Sequence, residues 1–330
     1  MGTGYMVLSL DLELMWGVHD HRSIQNYGAN IRGAREAIPI MLDIFKAQEI
    51  RATWAAVGFL FCENKAELLA SLPGKRPAYS DPKLNSYAYL DEVGADESDD
   101  IYHYGGSLIK KIMQTPYQEV ATHTFSHYYC LADGQSKAEF AADIAAAKKV
   151  ASAHDIVFKS IVFPRNQFNA DYLEALIQNA IFTYRGNGES WLNKNPFIRD
   201  HPPLQRLLRL IDTYVNITGS NCYALADTIG VNNMFNVRAS RFLRPYSAKL
   251  DFLEGLKIRR IKAQMKYAAR NGLIFHMWWH PHNFGTNLDK NLACLQQILD
   301  YYAFLHKTYG FQSKNMYGIE KEARKLSGIT

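Results

Sequence analysis

Short apolar runs alternate with helical stretches along almost the whole chain. Seven of these runs have the length and composition of buried strands, at 5–10, 51–58, 119–123, 159–163, 181–185, 234–239 and 273–280. Strands that are mostly apolar on both faces and are separated by helices are typical of a parallel sheet covered by helices. The alternation therefore predicts an α/β fold.

The stretches between the runs have helical periodicity, and we expect helices at 31–48, 63–72, 107–113, 136–153, 171–179, 248–270 and 288–306. Pro39 lies inside the first of these, which predicts a late start or a kink. The segment 73–116 is rich in Pro, Gly, Tyr and Asp, and we interpret it as a functional inserted loop region. A polar loop covers 186–203, and 303–330 is expected to be a C-terminal extension of a single catalytic domain, 1–330.

Polar side chains that can do chemistry follow several of the predicted strands, namely Asp11, His123, Arg165, Arg185 and His280. In a (β/α) barrel the carboxyl ends of the strands form the functional face. A doubly wound open sheet would give a similar pattern. Because these residues come from strands spread over the whole chain, we favour a TIM-like (β/α) barrel in one domain.

The first strand ends on two acids, Asp11 and Glu13, which lie two residues apart and so point the same way. Such a pair could simply cap the next helix. Far downstream, His123 and His127 are four residues apart and could close on one divalent ion. Thr124 occupies the place of the glutamate in the metalloprotease pattern His-Glu-x-x-His, so a general base must come from elsewhere.

Two histidines and one carboxylate leave coordination positions open, and a metal held in this way polarises a carbonyl and acidifies its water. The second carboxylate of the pair can then accept the proton. His280 is the best candidate for the acid that protonates a departing nitrogen. Arg165 could keep the base carboxylate ionised and in place.

Four motifs occur in order: Ser-Leu-Asp-Leu-Glu-Leu-Met-Trp-Gly, Thr-His-Thr-Phe-Ser-His, Phe-Pro-Arg-Asn-Gln and Trp-Trp-His-Pro-His-Asn. Together they resemble the motifs of the polysaccharide deacetylase (NodB-homology) family, over about residues 5–302. The resemblance implies a deformed (β/α)7 barrel and the removal of acetyl groups, usually from N-acetylated sugars. It also implies a metal held by one acid with His123 and His127, with Asp11 as base, Arg165 as its partner and His280 as acid.

The chain departs from the family pattern in three places. The family often has two adjacent acids at the first motif, whereas here Leu12 separates Asp11 from Glu13. A divided Asp-x-Asp or Asp-x-Glu version also occurs in the family, and with this spacing we assign Glu13 to the metal and Asp11 to the base. The exchange of these two roles is an open alternative. Pro164-Arg165-Asn166 stands where many members have Arg-x-Pro, and Asp212 is our candidate for the carboxylate that orients His280.

These features predict a hydrolase of carbon–nitrogen bonds that uses Zn²⁺, or alternatively Co²⁺, Ni²⁺ or Mn²⁺. The expected substrate is an N-acetylated sugar, possibly linked to a nucleotide or a lipid, in surface-glycan metabolism. No secretory signal is visible at the N-terminus, which predicts a cytoplasmic enzyme. Two alternatives are an allantoinase-like hydrolase of a cyclic amide or imide, and a catalytically silent carbohydrate-binding barrel.

The net charge of +5 is concentrated in 238–270, which has ten Lys and Arg residues against two acids. A solvated outer helix explains this segment, although it could also bind an anionic substrate or make transient contact with an anionic membrane. No nucleic-acid-binding motif accompanies the charge, so we expect no nucleic-acid partner. His276 is expected to be a hydrogen-bonded core residue. Aromatic residues at strand ends belong more often to the core, and among four tryptophans (Trp16, Trp54, Trp278 and Trp279) Trp16 is the leading candidate for the alternative, stacking on a sugar ring.

Overall fold

The computed structural model describes residues 2–192 and 203–328. Its described residues form one sheet of nine parallel strands. The strands are β1 (Tyr5–Leu12), β2 (Ala52–Ala56), β3 (Glu119–Thr122), β4 (Ser160–Val162), β5 (Thr183–Arg185), β6 (Phe235–Asn236), β7 (Arg241–Phe242), β8 (Ile274–Trp279) and β9 (Gln312–Lys314).

Helices follow most of the strands and cover the outside of the sheet. They are α1 (Ile24–Ala47), α2 (Lys65–Ala70), α3 (Gly106–Gln114), α4 (Lys137–Ser152), α5 (Leu173–Gln178), α6 (Pro203–Tyr214), α7 (Glu254–Asn271), α8 (Leu288–Tyr309) and α9 (Met316–Ser327). None of the helices in the described part of the chain is both long enough and apolar enough to span a bilayer.

The strand order is β6-β5-β4-β3-β2-β1-β8-β7, and β9 also pairs with β1. Neighbours in the sheet are therefore neighbours in the chain apart from the β1–β8 and β1–β9 pairings. This is the order of a sequentially wound barrel. Within the described residues no ladder joins β6 to β7, which leaves the barrel open at that point. The predicted deformed (β/α)7-type barrel is confirmed, while the short strands β7 and β9 were not anticipated.

Successive side chains of β1 point alternately to the helix-covered side of the sheet and to the barrel interior. Leu8 and Leu10 pack into the large cluster beneath the helices, whereas Val7 joins a smaller cluster inside the barrel. Because side chains alternate with period two, Ser9 and Asp11 share the interior side with Val7. Leu10→Ala would leave a cavity in the outer core and cost about 2–5 kcal/mol of unfolding free energy. The hydrophobic pattern of β1 therefore fixes where Asp11 points.

One boundary prediction was wrong. Helix α1 starts at Ile24, not late, because the Asn26 side chain accepts a hydrogen bond from the Ser23 backbone N–H (3.1 Å) and satisfies the helix N-terminus. The predicted C-terminal extension, 303–330, packs against the barrel. Within it, β9 pairs with Tyr5–Val7 of β1 and α9 buries Met316 inside the barrel cluster. Of the predicted loop 186–203, residues 193–202 lie outside the described residues.

The inserted region 73–116 packs against the loop that carries the histidine pair. The Ser86 hydroxyl donates to the Ser126 carbonyl (2.7 Å), and the Tyr129 N–H donates to the Tyr79 hydroxyl (2.9 Å). The insertion thus buttresses one rim of the carboxyl face of the barrel.

Candidate metal centre and catalytic site

The loop after β3 brings two histidines into the barrel mouth. His123 follows the strand directly, and Thr124 and His127 both adopt left-handed φ angles of 65° and 59°, which turn the chain back on itself. Asp143 of α4 fixes the residues between them, because its carboxylate accepts from the backbone N–H groups of Phe125 (2.6 Å) and Ser126 (3.2 Å). Burial raises the pKa of Asp143 to about 6, despite these bonds.

Glu13 reaches the same place from the residue after β1. Its Oε2 lies 3.0 Å from His127 Nε2 and 3.3 Å from His123 Nε2. One ligand atom from each of the three residues lies within 4.8 Å of the others, and all three side chains are buried. Two imidazoles and one carboxylate at this spacing form a candidate site for a divalent cation.

The hydrogen bonds of His123 test whether a cation fits. His123 Nδ1 donates to the Val162 carbonyl (2.8 Å), which leaves the lone pair of Nε2 facing the Glu13 carboxylate. This buried Nε2 has no hydrogen-bond partner among the described residues. Two electron-rich groups in a dry site repel each other unless a cation lies between them, so the donor set fits a metal ion.

The electrostatics of the cluster favour deprotonated ligands. Burial alone would raise the pKa of Glu13, but the charge of His280 and the neighbouring His123 and His127 rings hold the pKa well below its usual range. Burial lowers the pKa of His127 to about 4. At neutral pH the carboxylate is therefore ionised and the His127 ring is neutral, as metal ligation requires.

Gly17 provides the space that the Glu13 side chain occupies. A Cβ atom added at Gly17 would lie 2.0 Å from the Glu13 carboxylate, far inside contact distance. Residues Leu14–Gly17 form a single 3₁₀ turn, which brings Gly17 back under Glu13. Glu13 can therefore occupy its place in the cluster only if residue 17 has no side chain.

Asp11 forms a bidentate ion pair with Arg185. The two guanidinium nitrogens Nη1 and Nη2 donate to Oδ1 and Oδ2, each at 2.7 Å, in the buried interior. Arg185 also donates to Ser9 Oγ (3.0 Å) and Asn166 Oδ1 (2.9 Å), and its guanidinium lies 4.3 Å from the centre of the Trp278 ring. Burial alone would raise the pKa of Asp11, but the Arg185 charge and hydrogen bonds outweigh it, and the pKa is lowered.

His280 lies across the site from the metal cluster. Its Nε2 is 3.7 Å from Asp11 Oδ2 and 3.6 Å from Glu13 Oε1, and the Asn283 amide contacts its Nδ1 at 3.2 Å. The ring of His282 stacks on that of His280, with centroids 5.0 Å apart, and its Nε2 lies 3.8 Å from Glu13 Oε1. Burial, followed by the charge of His280, lowers the pKa of His282 to about 3.

These residues surround a cavity of about 360 Å³ that opens to solvent. Asp11, Glu13 and His127 form its polar floor. The aromatic rings of Phe242 and Trp278 form part of its wall. A polar floor beneath an aromatic wall suits a sugar ring, which has polar edges and an apolar face.

Arg165 does not pair with Asp11, so its predicted role is wrong. It forms an ion pair with Asp20 (2.6 Å), and its guanidinium lies 4.6 Å from the centre of the Tyr129 ring. Arg165 lies after β4 on a turn with a left-handed φ of 53°, whereas Arg185 is the last residue of β5 and reaches directly into the barrel. Arg165 does line the cavity, at its rim.

Asp212 does not orient His280, which corrects a second prediction. Its carboxylate pairs with Arg260 (2.8 Å) and Arg241 (3.4 Å) and accepts from the Thr218 backbone. Asn283 occupies the orienting position instead, three residues after His280.

Two further expectations have clear outcomes. His276 is a buried core residue as predicted, with contacts to Ser9 Oγ (2.8 Å) and the Val237 carbonyl (3.0 Å). Trp16 is a core residue, because it is fully buried and its indole N–H donates to the His103 carbonyl (2.8 Å), which excludes the alternative of stacking on a sugar. Of the tryptophans considered, Trp278 alone lines the described cavities at the barrel mouth.

Sequence reasoning missed the roles of Arg185, Asn166, His282 and Asn283. A signal for Arg185 existed, since it ends a predicted strand on the functional face, as Asp11 and His123 do. His282 and Asn283 belong to the Trp-Trp-His-Pro-His-Asn motif itself, and their distance from His280 in sequence is short enough for one turn.

A scan against protein-family models and a search of curated proteins find no match to the chain. Solved structures share its fold. A candidate polysaccharide deacetylase from Mycobacterium smegmatis superposes with a TM-score of 0.62 at 11% identity, over 99% of this chain and 92% of that one. Another from Pseudomonas aeruginosa PAO1 gives 0.53 at 8% identity, over 97% and 91%.

The same barrel is also similar to a GH57-type branching enzyme from Pyrococcus horikoshii, with a TM-score of 0.53 and 11% identity, over 97% of this chain and 70% of that one. Two candidate polysaccharide deacetylases and a branching enzyme therefore share one architecture with this chain. At these identities the likeness establishes the fold, and the choice of chemistry depends on the residues of the site.

Proposed function

We propose that this protein is a metal-dependent hydrolase of the polysaccharide deacetylase type that removes the acetyl group from an N-acetylated sugar. The observation that carries the proposal is the convergence of Glu13, His123 and His127 within 4.8 Å, beside the Asp11–Arg185 ion pair. A carboxylate and two histidines suit a metal, and a separate buried carboxylate suits a base.

Glu13, His123 and His127 would hold the ion, which is Zn²⁺ or alternatively Co²⁺, Ni²⁺ or Mn²⁺. When bound, such an ion polarises an acetamido carbonyl and makes water more acidic. The Val162 carbonyl fixes the tautomer of His123, so that the lone pair of Nε2 would be available to the ion. Asp11 is a poorer ligand because both of its oxygens already accept from Arg185.

Asp11 acts as general base. The Arg185 charge keeps its carboxylate ionised at neutral pH, and the bidentate contact fixes its orientation. Its Oδ2 lies on the side of the cavity that His280 also faces. A water molecule between Asp11 and the acetamido carbon would lose its proton to Asp11 as it attacks.

His280 acts as general acid towards the departing nitrogen. A neutral imidazole is too weak an acid for this step, so the ring acts as the imidazolium, and its Nε2–H, which faces the carboxylates and the cavity, is transferred to the nitrogen. The Asn283 side chain can present its oxygen to a protonated Nδ1 or its NH₂ group to the Nδ1 of the neutral ring, so Asn283 can contact both charge states. Asn283 thus has the orienting role that was predicted for Asp212.

Two measurements test the proposal. The purified protein is loaded with Zn²⁺ or Co²⁺, and acetate release is followed from chitin oligosaccharides and from nucleotide-linked N-acetylglucosamine. We expect metal-dependent acetate release that His123→Ala abolishes. Turnover that is unaffected by His123→Ala would overturn it. Opening of a cyclic amide releases no acetate, so base uptake on hydantoin-type rings without acetate would indicate the alternative hydrolase instead.

A further inference from the structure

A second cavity, of about 350 Å³, adjoins the catalytic one. Four residues line both: Asn166, Phe242, Trp278 and His280. The two cavities therefore form one elongated groove, which we call the extended groove. A saccharide placed with its acetamido group at the metal cluster would extend along Trp278 into the second cavity.

The far end of the extended groove is rich in arginine. Arg209, Arg241 and Arg244 line the second cavity, and Asp212 is the one carboxylate among its lining residues in the described part of the chain. That carboxylate is already shared between Arg241 and Arg260. Asp212 is therefore not available as a partner for Arg244.

Arg244 is the arginine with free hydrogen-bonding capacity. Its Nε is buried without a hydrogen-bond partner, and no carboxylate of a described residue lies within ion-pair distance of its guanidinium. Its backbone carbonyl accepts from Lys257 Nζ (3.0 Å), which anchors the residue at the cavity wall. A partly buried guanidinium without an anion is unfavourable, and its planar donor array matches carboxylate and phosphate oxygens.

The charge around Arg241 agrees with this geometry. Burial and the neighbouring Arg260 charge lower the pKa of Arg241 to about 10, despite the contact with Asp212. A cation whose pKa is lowered by another cation lies in a region that an anion would stabilise. By contrast, Arg259 lies on the outer helix α7, on the solvent side and outside the extended groove.

We infer that the arginine end of the extended groove is a subsite for an anionic group, a carboxylate or a phosphate, carried by the sugar substrate next to the acetamido group that is hydrolysed. This inference rests on the proposed function, because it places the acetamido sugar at the metal cluster. The substrate would be an acidic saccharide, with the anion supplied by a uronic acid residue or by the phosphates of a nucleotide sugar. Ser240 and Asn187, which also line the cavity, can bind sugar hydroxyls.

The test compares three probes by calorimetric binding to the full, metal-loaded chain: neutral chitobiose, a hyaluronan tetrasaccharide and UDP-N-acetylglucosamine. We expect at least one anionic probe to bind about tenfold more tightly than chitobiose or better, and Arg244→Gln to remove most of that advantage. Preference for the tetrasaccharide identifies a carboxylate, and preference for the nucleotide sugar identifies phosphate. Arg259→Gln is the matched control and should leave the ratio of affinities unchanged.

Equal affinity for all three probes would overturn the inference, as would an anionic preference that survives Arg244→Gln or is lost equally in Arg259→Gln. Acetate release is measured on the same samples. Anion-dependent binding without acetate release from any probe would count against the proposed hydrolysis while supporting the subsite, so the two claims can fail separately.

Discussion

Arg185 holds Asp11 by two parallel hydrogen bonds of 2.7 Å across the interior of the barrel. The pair joins the ends of β1 and β5, which are not neighbours in the sheet. Because the guanidinium also contacts Ser9, Asn166 and the Trp278 ring, it is fixed on several sides. Asp11 is therefore both ionised and oriented before any substrate binds.

Loss of this ion pair should move the acidic limb of the pH–rate profile. The base works when it is deprotonated, and Arg185 lowers the pKa of Asp11. In Arg185→Gln the pKa of Asp11 rises, so the limb of kcat/KM shifts to higher pH, and we expect a loss of about 100-fold at neutral pH. Arg185→Lys, which retains the charge but not the bidentate contact, should shift the limb less.

Arg165→Gln is the matched control for that profile. Arg165 pairs with Asp20 and does not contact Asp11, so its removal should leave the position of the acidic limb unchanged. If the acidic limb shifted in Arg165→Gln but not in Arg185→Gln, Arg165 would be the partner of Asp11, as the sequence suggested, and the observed geometry would be contradicted.

Gly17→Ala should weaken metal binding without unfolding the barrel. The added Cβ would meet the Glu13 carboxylate at 2.0 Å and force that side chain out of the cluster. We expect metal affinity to fall about 10–100-fold, as measured by competition with a chromogenic chelator. Gly74→Ala is the control, because a Cβ there meets no heavy atom within 4 Å. Equal affinities for the two variants would show that Glu13 does not hold the metal.

Much of this site could be predicted because its parts follow strand ends. Asp11, Glu13, His123 and His280 come directly from β1, β3 and β8 or from the residue or two that follow, so their proximity is implied by a parallel barrel. The choice between Arg165 and Arg185 could not be made in this way. Arg185 is the last residue of β5 and Arg165 follows β4 by three residues, and the left-handed turn at Arg165 directs that side chain to Asp20.

Other features depended on tertiary contacts that have no local signal. Asp212 was a reasonable carboxylate partner for His280, but two buried arginines from β7 and α7 compete for it. Strands of two or three residues, such as β7 and β9, have too little pattern to be recognised from sequence. Strand β9 pairs only with Tyr5–Val7 of β1, whereas β2 pairs with β1 from Leu8 onward.

Substitution of His280, the proposed acid, should lower kcat far more than substitution of its stacked neighbour His282. Burial keeps the pKa of His282 at about 3, so its ring is neutral at working pH and cannot supply the proton. We expect His280→Gln to lower kcat by about 10²–10⁴ with metal content unchanged. His282→Phe preserves the stacked ring and should lose less than about tenfold. Comparable losses in the two variants would mean that the assignment of the acid is wrong.

The most direct test of the account is the metal content of the dialysed protein, measured by mass spectrometry after reconstitution with Zn²⁺. We predict about one ion per chain in the native sequence and a value near zero in His123→Ala/His127→Ala, with circular dichroism unchanged. A chain that binds no divalent ion, or a double variant that retains the same stoichiometry, would contradict a metal centre at Glu13, His123 and His127.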